Sequence, residues 1–142
     1  MTVQELLSTA EELLEISIEN VEEHESKTPR VIYLLGFYGA KLWKESVARK
    51  RLHSREESRA TEKWSGTKGS NDKPLTAKTI DAKVDLEPEV QRSWNSYIEV
   101  EMQRRQVESM LDAMQRKSSY IPGLQGRLNA LRMNLANGRG KE

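Results

Sequence analysis

Apolar positions recur along this chain at helical spacing, and the strict alternation that a half-buried strand would need is sparse. Leu7, Leu14, Ile18 and Val21 form a stripe that Leu6, Ala10 and Leu13 widen, which predicts a first amphipathic helix. Its start is written in Thr2 and Glu5, spaced so that each side chain can satisfy the other's backbone N–H. The residue before Pro29 is steered away from helical geometry, so the stretch KTP is expected to end or turn this helix. A second helix is predicted from near Pro29 to about Trp64. Its first half places Val31, Leu35, Tyr38 and Leu42 at spacings of four, three and four, with Gly36 and Gly39 expected to permit close approach. After Val47 the apolar face almost vanishes.

SGTKGSNDKP reads as a loop, and residues 66–75 as a flexible linker, because Gly66, Gly69, Asn71, Asp72 and Pro74 all favour turns over regular elements. A short helix carrying Ile80 and Val84 is expected after a Thr76 cap. Asp85 or Glu87 then precedes Pro88, which suits the opening turn of a long helix running to about Ser118. On that helix Val90, Trp94, Tyr97, Val107, Leu111, Met114 and Ile121 follow a four-and-three spacing, with Glu101, Arg104 and Ser118 at the intervening positions. The pattern predicts coiled-coil-like packing through an imperfect seam and makes these seven residues the candidate oligomerisation surface. Trp94 and Tyr97 suit an interface or core better than a nucleic-acid platform. Pro122 and Gly123 are expected to break or bend the chain, RLNALRMNL to form a further short amphipathic segment, and residues 137–142 a mobile tail. The fold expected is all-α: one helical domain over residues 1–142, with a long amphipathic helix towards its C-terminal end.

Charge changes this picture more than length does. A net charge of +1 conceals eight carboxylates against Lys27 in residues 1–27, and ten Lys or Arg against four Glu in residues 30–68. Such blocks can attract a polyanion with one surface while an acidic segment repels it or pairs with a neighbouring subunit; they also arise by chance partition of solubilising charge. The chain has no cysteine and only two histidines, His24 and His53, so disulfides and thiolate ligands are excluded and no metal site is expected. Both histidines read as surface or local helix-contact residues. No cofactor is expected. No apolar run approaches membrane-spanning length, and the acidic start lacks the basic flank of a secretory signal.

Arg51, Arg55, Arg59 and Lys63 recur every four residues and form a gently drifting stripe, which Lys50 thickens and Lys68 extends onto the glycine loop. Glu56 is placed to offset Arg59, and Glu57 to meet His53, but much of the face stays uncompensated. A phosphate backbone would supply the missing countercharge. Trp64 has two readings: it stacks on an exposed base, worth about 1–3 kcal/mol, or it is a core tryptophan closing a solvated helix. Lys50, Arg51, Arg55, Arg59, Lys63, Trp64 and Lys68 are therefore the candidate nucleic-acid contacts. Enzyme chemistry has weaker support: no acid–base pair or phosphate-binding glycine loop has the required order, and no residue receives a catalytic assignment.

The stretches VIYLLGFYGAKLWKE, RATEKWSG and DLEPEVQRSWNSYIEVEMQRRQVESMLDAMQRKSSYI together resemble the T4-like phage recombination mediator family, the UvsY-like proteins, over about residues 30–122. The resemblance implies a small helical protomer that forms ring-shaped homo-oligomers. It implies single-stranded DNA binding and help in loading a RecA-like recombinase against a single-strand-binding protein, in the host cytoplasm and without catalysis. On this alignment Arg59 and Lys63 lead the DNA contacts and Arg55 supports them, while Ala60 stands where a further basic residue is expected. The alternative is a noncatalytic helical phage assembly or scaffold protein.

Overall fold

The computed structural model describes residues 1–15, 17 and 19–140, so Ile18 of the first stripe and the last two residues of the expected tail lie outside the described residues. The fold is all-α: α1 spans Val3–Leu14, α2 Val21–Ser65, α3 Ala77–Leu86, α4 Pro88–Ser118 and α5 Ile121–Gly140. Two compact units are formed, one from Met1–Ala40 and the chain from Arg105 onward, the other from Lys41–Arg104.

The capping box at Thr2 and Glu5 forms: Thr2 Oγ1 accepts the Glu5 N–H at 3.1 Å, and Glu5 Oε2 accepts the Thr2 N–H at 2.7 Å. The buried side of α1 is Leu6, Ala10 and Leu13; Leu7 and Leu14, expected at the stripe's centre, are only half-buried. The break expected at Pro29 falls instead before Val21. Asn20 ties that turn together, since its Oδ1 accepts the Ser17 N–H at 2.7 Å and its Nδ2 donates to the Glu15 carbonyl at 2.9 Å. The Asn20 carbonyl then accepts the His24 N–H at 3.0 Å, opening α2 with Glu22 and Glu23 in the first turn.

Pro29 lies inside α2 on its exposed side. The buried stripe Val21, His24, Thr28, Val31, Leu35 passes it without interruption, and that packing offsets the roughly 3 kcal/mol an interior proline costs. His24, expected at the surface or in a local helix contact, is 5% exposed because it sits on this stripe. Val107, Met114 and Ile121 complete the first unit's core. Gly36 has nothing within 4 Å of an added Cβ, so close approach is not its role; Gly39 faces Val107 Cγ1 at 3.6 Å, an ordinary contact.

In the second unit, Ala60, Val84 and Val90 form a cluster against which Trp64 and Ile80 pack. Thr76 caps α3 through the Thr79 N–H at 3.2 Å, and Pro88 opens α4, both where the sequence placed them. Residues 66–75 make a hydrogen-bonded turn: Gly69 N–H donates to the Lys73 carbonyl at 2.8 Å, and Lys68 and Pro74 form a bridge. The left-handed residue is Asp72, φ 58°, a role asparagine and aspartate tolerate.

The seam of α4 shifts register. Val90, Val107, Met114 and Ile121 are buried where the spacing put them, but between them Ser93 and Val100, outside the expected seam, are buried, and Trp94 is 48% exposed. Ser93 can go inside because its hydroxyl is satisfied, by the Val90 carbonyl and by His53 Nδ1, each at 2.9 Å. The bend expected at Pro122 and Gly123 occurs three residues earlier, at Ser119 and Tyr120, and the proline falls in the first turn of α5, where its missing N–H costs nothing.

Candidate nucleic-acid interface

Residues 48–63 of α2 are rich in Ala, Arg, Lys and Glu, which favour helix without needing burial. The helix is nevertheless oriented by one face. Leu42 and Ser46 are buried; Arg49 reaches the Ser96 carbonyl at 2.9 Å; His53 contacts Ser93; and Ala60 and Trp64 join the cluster with Val84 and Val90. That anchoring turns the basic stripe outwards, so Lys50, Arg51, Arg55, Arg59 and Lys63 are all exposed.

Exposure does not make them equivalent. Arg59 Nη1 lies 3.1 Å from Glu56 Oε1, Lys63 Nζ lies 2.9 Å from Glu87 Oε1, and Lys68 Nζ lies 3.8 Å from Asp72 Oδ1. Among the described residues Lys50, Arg51 and Arg55 have no ion-pair partner, and with Val47 and Ser54 they line a shallow recess on α2. The uncompensated charge therefore sits on the Lys50, Arg51 and Arg55 part of the stripe, not beside Ser65 and Gly66, where the family resemblance put the leading contacts.

Trp64 is engaged by the protein. Its Nε1–H donates to Glu87 Oε1 at 2.8 Å, and Lys63 and Lys83 ammonium groups stand over its ring at 5.1 and 5.3 Å. The bonds from Lys63 first and Trp64 second hold the Glu87 carboxyl below its ordinary pKa.

Of the seven candidate oligomerisation residues, Val90, Val107, Met114 and Ile121 are buried in the chain's own packing, and only Trp94, Tyr97 and Leu111 keep accessible surface. The spacing of those four buried residues describes packing within the chain. Trp94 leans on His53 and Tyr97, with ring centroids 5.2 and 5.7 Å away.

One grouping was half legible in the sequence: the spacing placed Glu57 to meet His53, but Ser93, the third member, lies 40 residues further along the chain. His53 Nε2 meets Glu57 Oε1 at 2.7 Å, while its Nδ1 meets Ser93 Oγ at 2.9 Å. The order serine, histidine, carboxylate is that of a hydrolytic triad, but the access is wrong. Ser93 is 6% exposed, its hydroxyl also bonds the Val90 carbonyl, and it does not line the recess bordered by His53, Glu57 and Trp94. The three residues join α2 to α4 inside the second unit.

Among the described residues no group of three side chains is arranged to hold a metal ion, and no helix is long and apolar enough to cross a membrane. No known protein family, no curated protein and no solved structure matches the chain.

Proposed function

We propose that the chain is a noncatalytic single-stranded DNA-binding recombination mediator, acting in the host cytoplasm to help load a RecA-like recombinase against a single-strand-binding protein. The observation that carries this reading is the trio Lys50, Arg51 and Arg55, exposed together on one helix face with no countercharge among the described residues. Arginine offers paired donors to a phosphate, lysine a mobile point charge, and both release counterions when they bind a strand. The likeness of residues 30–122 to the UvsY-like mediators supports the same reading.

One such face binds weakly. A homo-oligomeric ring, implied by that likeness, would set several faces along one strand and raise their effective concentration. A second reading, a helical phage assembly or scaffold protein, is favoured by α5, where Leu131, Met133 and Leu135 are 50%, 66% and 65% exposed.

Fluorescence anisotropy with single-stranded and duplex oligonucleotides over a salt series separates the two readings. The mediator reading expects salt-dependent binding that favours the single strand, weakened when Lys50, Arg51 and Arg55 are changed to glutamate. Absence of binding at low salt overturns it. Light scattering across dilution tests assembly, and a folded monomer throughout would overturn the ring.

A further inference from the structure

Resting on the DNA-binding reading, we infer that Trp43 is the residue that stacks on a base of single-stranded DNA, with the strand's phosphates held by Lys44, Lys50, Arg51 and Arg55. The three tryptophans are in different situations. Trp64 is bonded to Glu87 and covered by two lysines, and Trp94 rests against His53 and Tyr97. Trp43 is 56% exposed, and among the described residues it makes no hydrogen bond, ring contact or cation–π contact.

Helical geometry puts Trp43 on the basic face. At 3.6 residues per turn, Trp43, Val47, Lys50 and Ser54 fall in one narrow strip, with Lys44, Arg51 and Arg55 beside it. The buried residues Ser46, Leu42 and Ala60 flank the strip on its other edge, about 60° to 100° round the helix in the direction away from Arg51 and Arg55. From Lys44 to Arg55 the one acidic residue is Glu45, which is paired with Arg49. A large aromatic surface is thus displayed among four exposed cations that have no carboxylate partner among the described residues.

Water solvates an exposed indole poorly, and the four cations around it repel one another. A nucleotide strand satisfies both needs, since its phosphates answer the cations and its bases offer flat apolar faces. Lys44 to Arg55 extends about 17 Å along α2, enough for roughly five phosphates at the 3.4 Å spacing of a stacked strand. In a duplex the base faces are covered by their neighbours, so only the phosphate contacts remain. Trp43 accordingly supplies the preference for a single strand, and the cations supply general affinity.

The test compares the wild type with Trp43→Leu and Trp43→Phe, using oligodeoxythymidine, an abasic oligonucleotide of the same length and a duplex. Trp43→Leu is expected to weaken oligodeoxythymidine binding about tenfold to hundredfold, leaving abasic and duplex binding and the salt slope unchanged. Trp43→Phe should lose less affinity, but should lose the quenching of tryptophan emission that oligodeoxythymidine causes in the wild type. Circular dichroism confirms that each variant is folded, and Trp43→Phe decides the matter if Trp43→Leu is not. If Trp43→Leu binds all three ligands as the wild type does, or loses equally on all three, the stacking site is wrong while the DNA-binding reading stands. Wild-type protein that binds no oligonucleotide at low salt overturns both.

Discussion

Trp64 and Glu87 hold each other: the indole Nε1–H donates to Glu87 Oε1 at 2.8 Å, and the same oxygen receives Lys63 Nζ at 2.9 Å. Glu87 is the C-cap residue of α3, so this contact pins the end of α2 to the α3–α4 junction. Trp64→Leu should therefore act on stability, costing about 1–3 kcal/mol through poorer packing and the loss of one of the two donors to Glu87. Urea denaturation followed by circular dichroism measures the cost. Single-stranded DNA affinity of the folded variant should stay within about twofold of the wild type, because stacking is assigned elsewhere.

The same pair predicts a pH response. The folded Glu87 carboxyl is held below its ordinary pKa, so its contribution is complete above the unfolded carboxylate value and is lost as pH falls through the folded one. Thermal melts should show stability dropping on acidification below the ordinary carboxylate range. Glu5 and Glu23 are lowered too, by the Thr2 backbone and by Lys27 respectively, so Glu87→Gln should remove part of the acid-dependent drop and not all of it. An unchanged acid profile in that variant would contradict this assignment.

Glu101 is 8% exposed on α4, where it accepts from the Ser46 hydroxyl of α2 and from Arg104 Nε and Nη2, the two arginine bonds both at 2.9 Å. Glu101→Ala leaves the Arg104 guanidinium without that carboxylate and should destabilise by about 2–4 kcal/mol in urea titration. Ser46→Ala removes one hydroxyl from an otherwise satisfied group and should cost nearer to about 1 kcal/mol.

Gly36 stands in the interior of α2 with open space where a side chain would project. Gly36→Ala should stabilise by about 0.5–1 kcal/mol, since alanine loses less backbone entropy in a helix. A destabilised variant in thermal or urea melts would show that something must approach this face.

Neutralising cations with glutamine should separate the two halves of the basic stripe. Lys50, Arg51 and Arg55 changed together should lower the single-strand salt slope by about 2, at roughly 0.7 for each phosphate no longer neutralised. Arg59 and Lys63 already have Glu56 and Glu87, so changing them together should shift the slope by less than about 1. Anisotropy titrations over a salt series decide between this order and its reverse.

The features legible in the sequence were those settled within one helical turn. Thr2 with Glu5, Thr76 with Thr79, and Pro88 at a first turn place helix starts through groups three or four residues apart, and an all-α fold follows from the spacing of apolar residues. The Asn20 start is equally local, with Glu23 three residues on, but Pro29 masks it in the sequence, because a proline's cost is local while the packing that offsets it is not. Which cations are paired, which tryptophan is free, and whether Ser93 or Trp94 turns inwards depend on partners far along the chain: Glu87 for Lys63, Ser93 for His53, Val84 and Val90 for Trp64. A helix carries its own periodicity, but only tertiary contacts choose among faces of similar hydrophobicity and select which charges meet a countercharge.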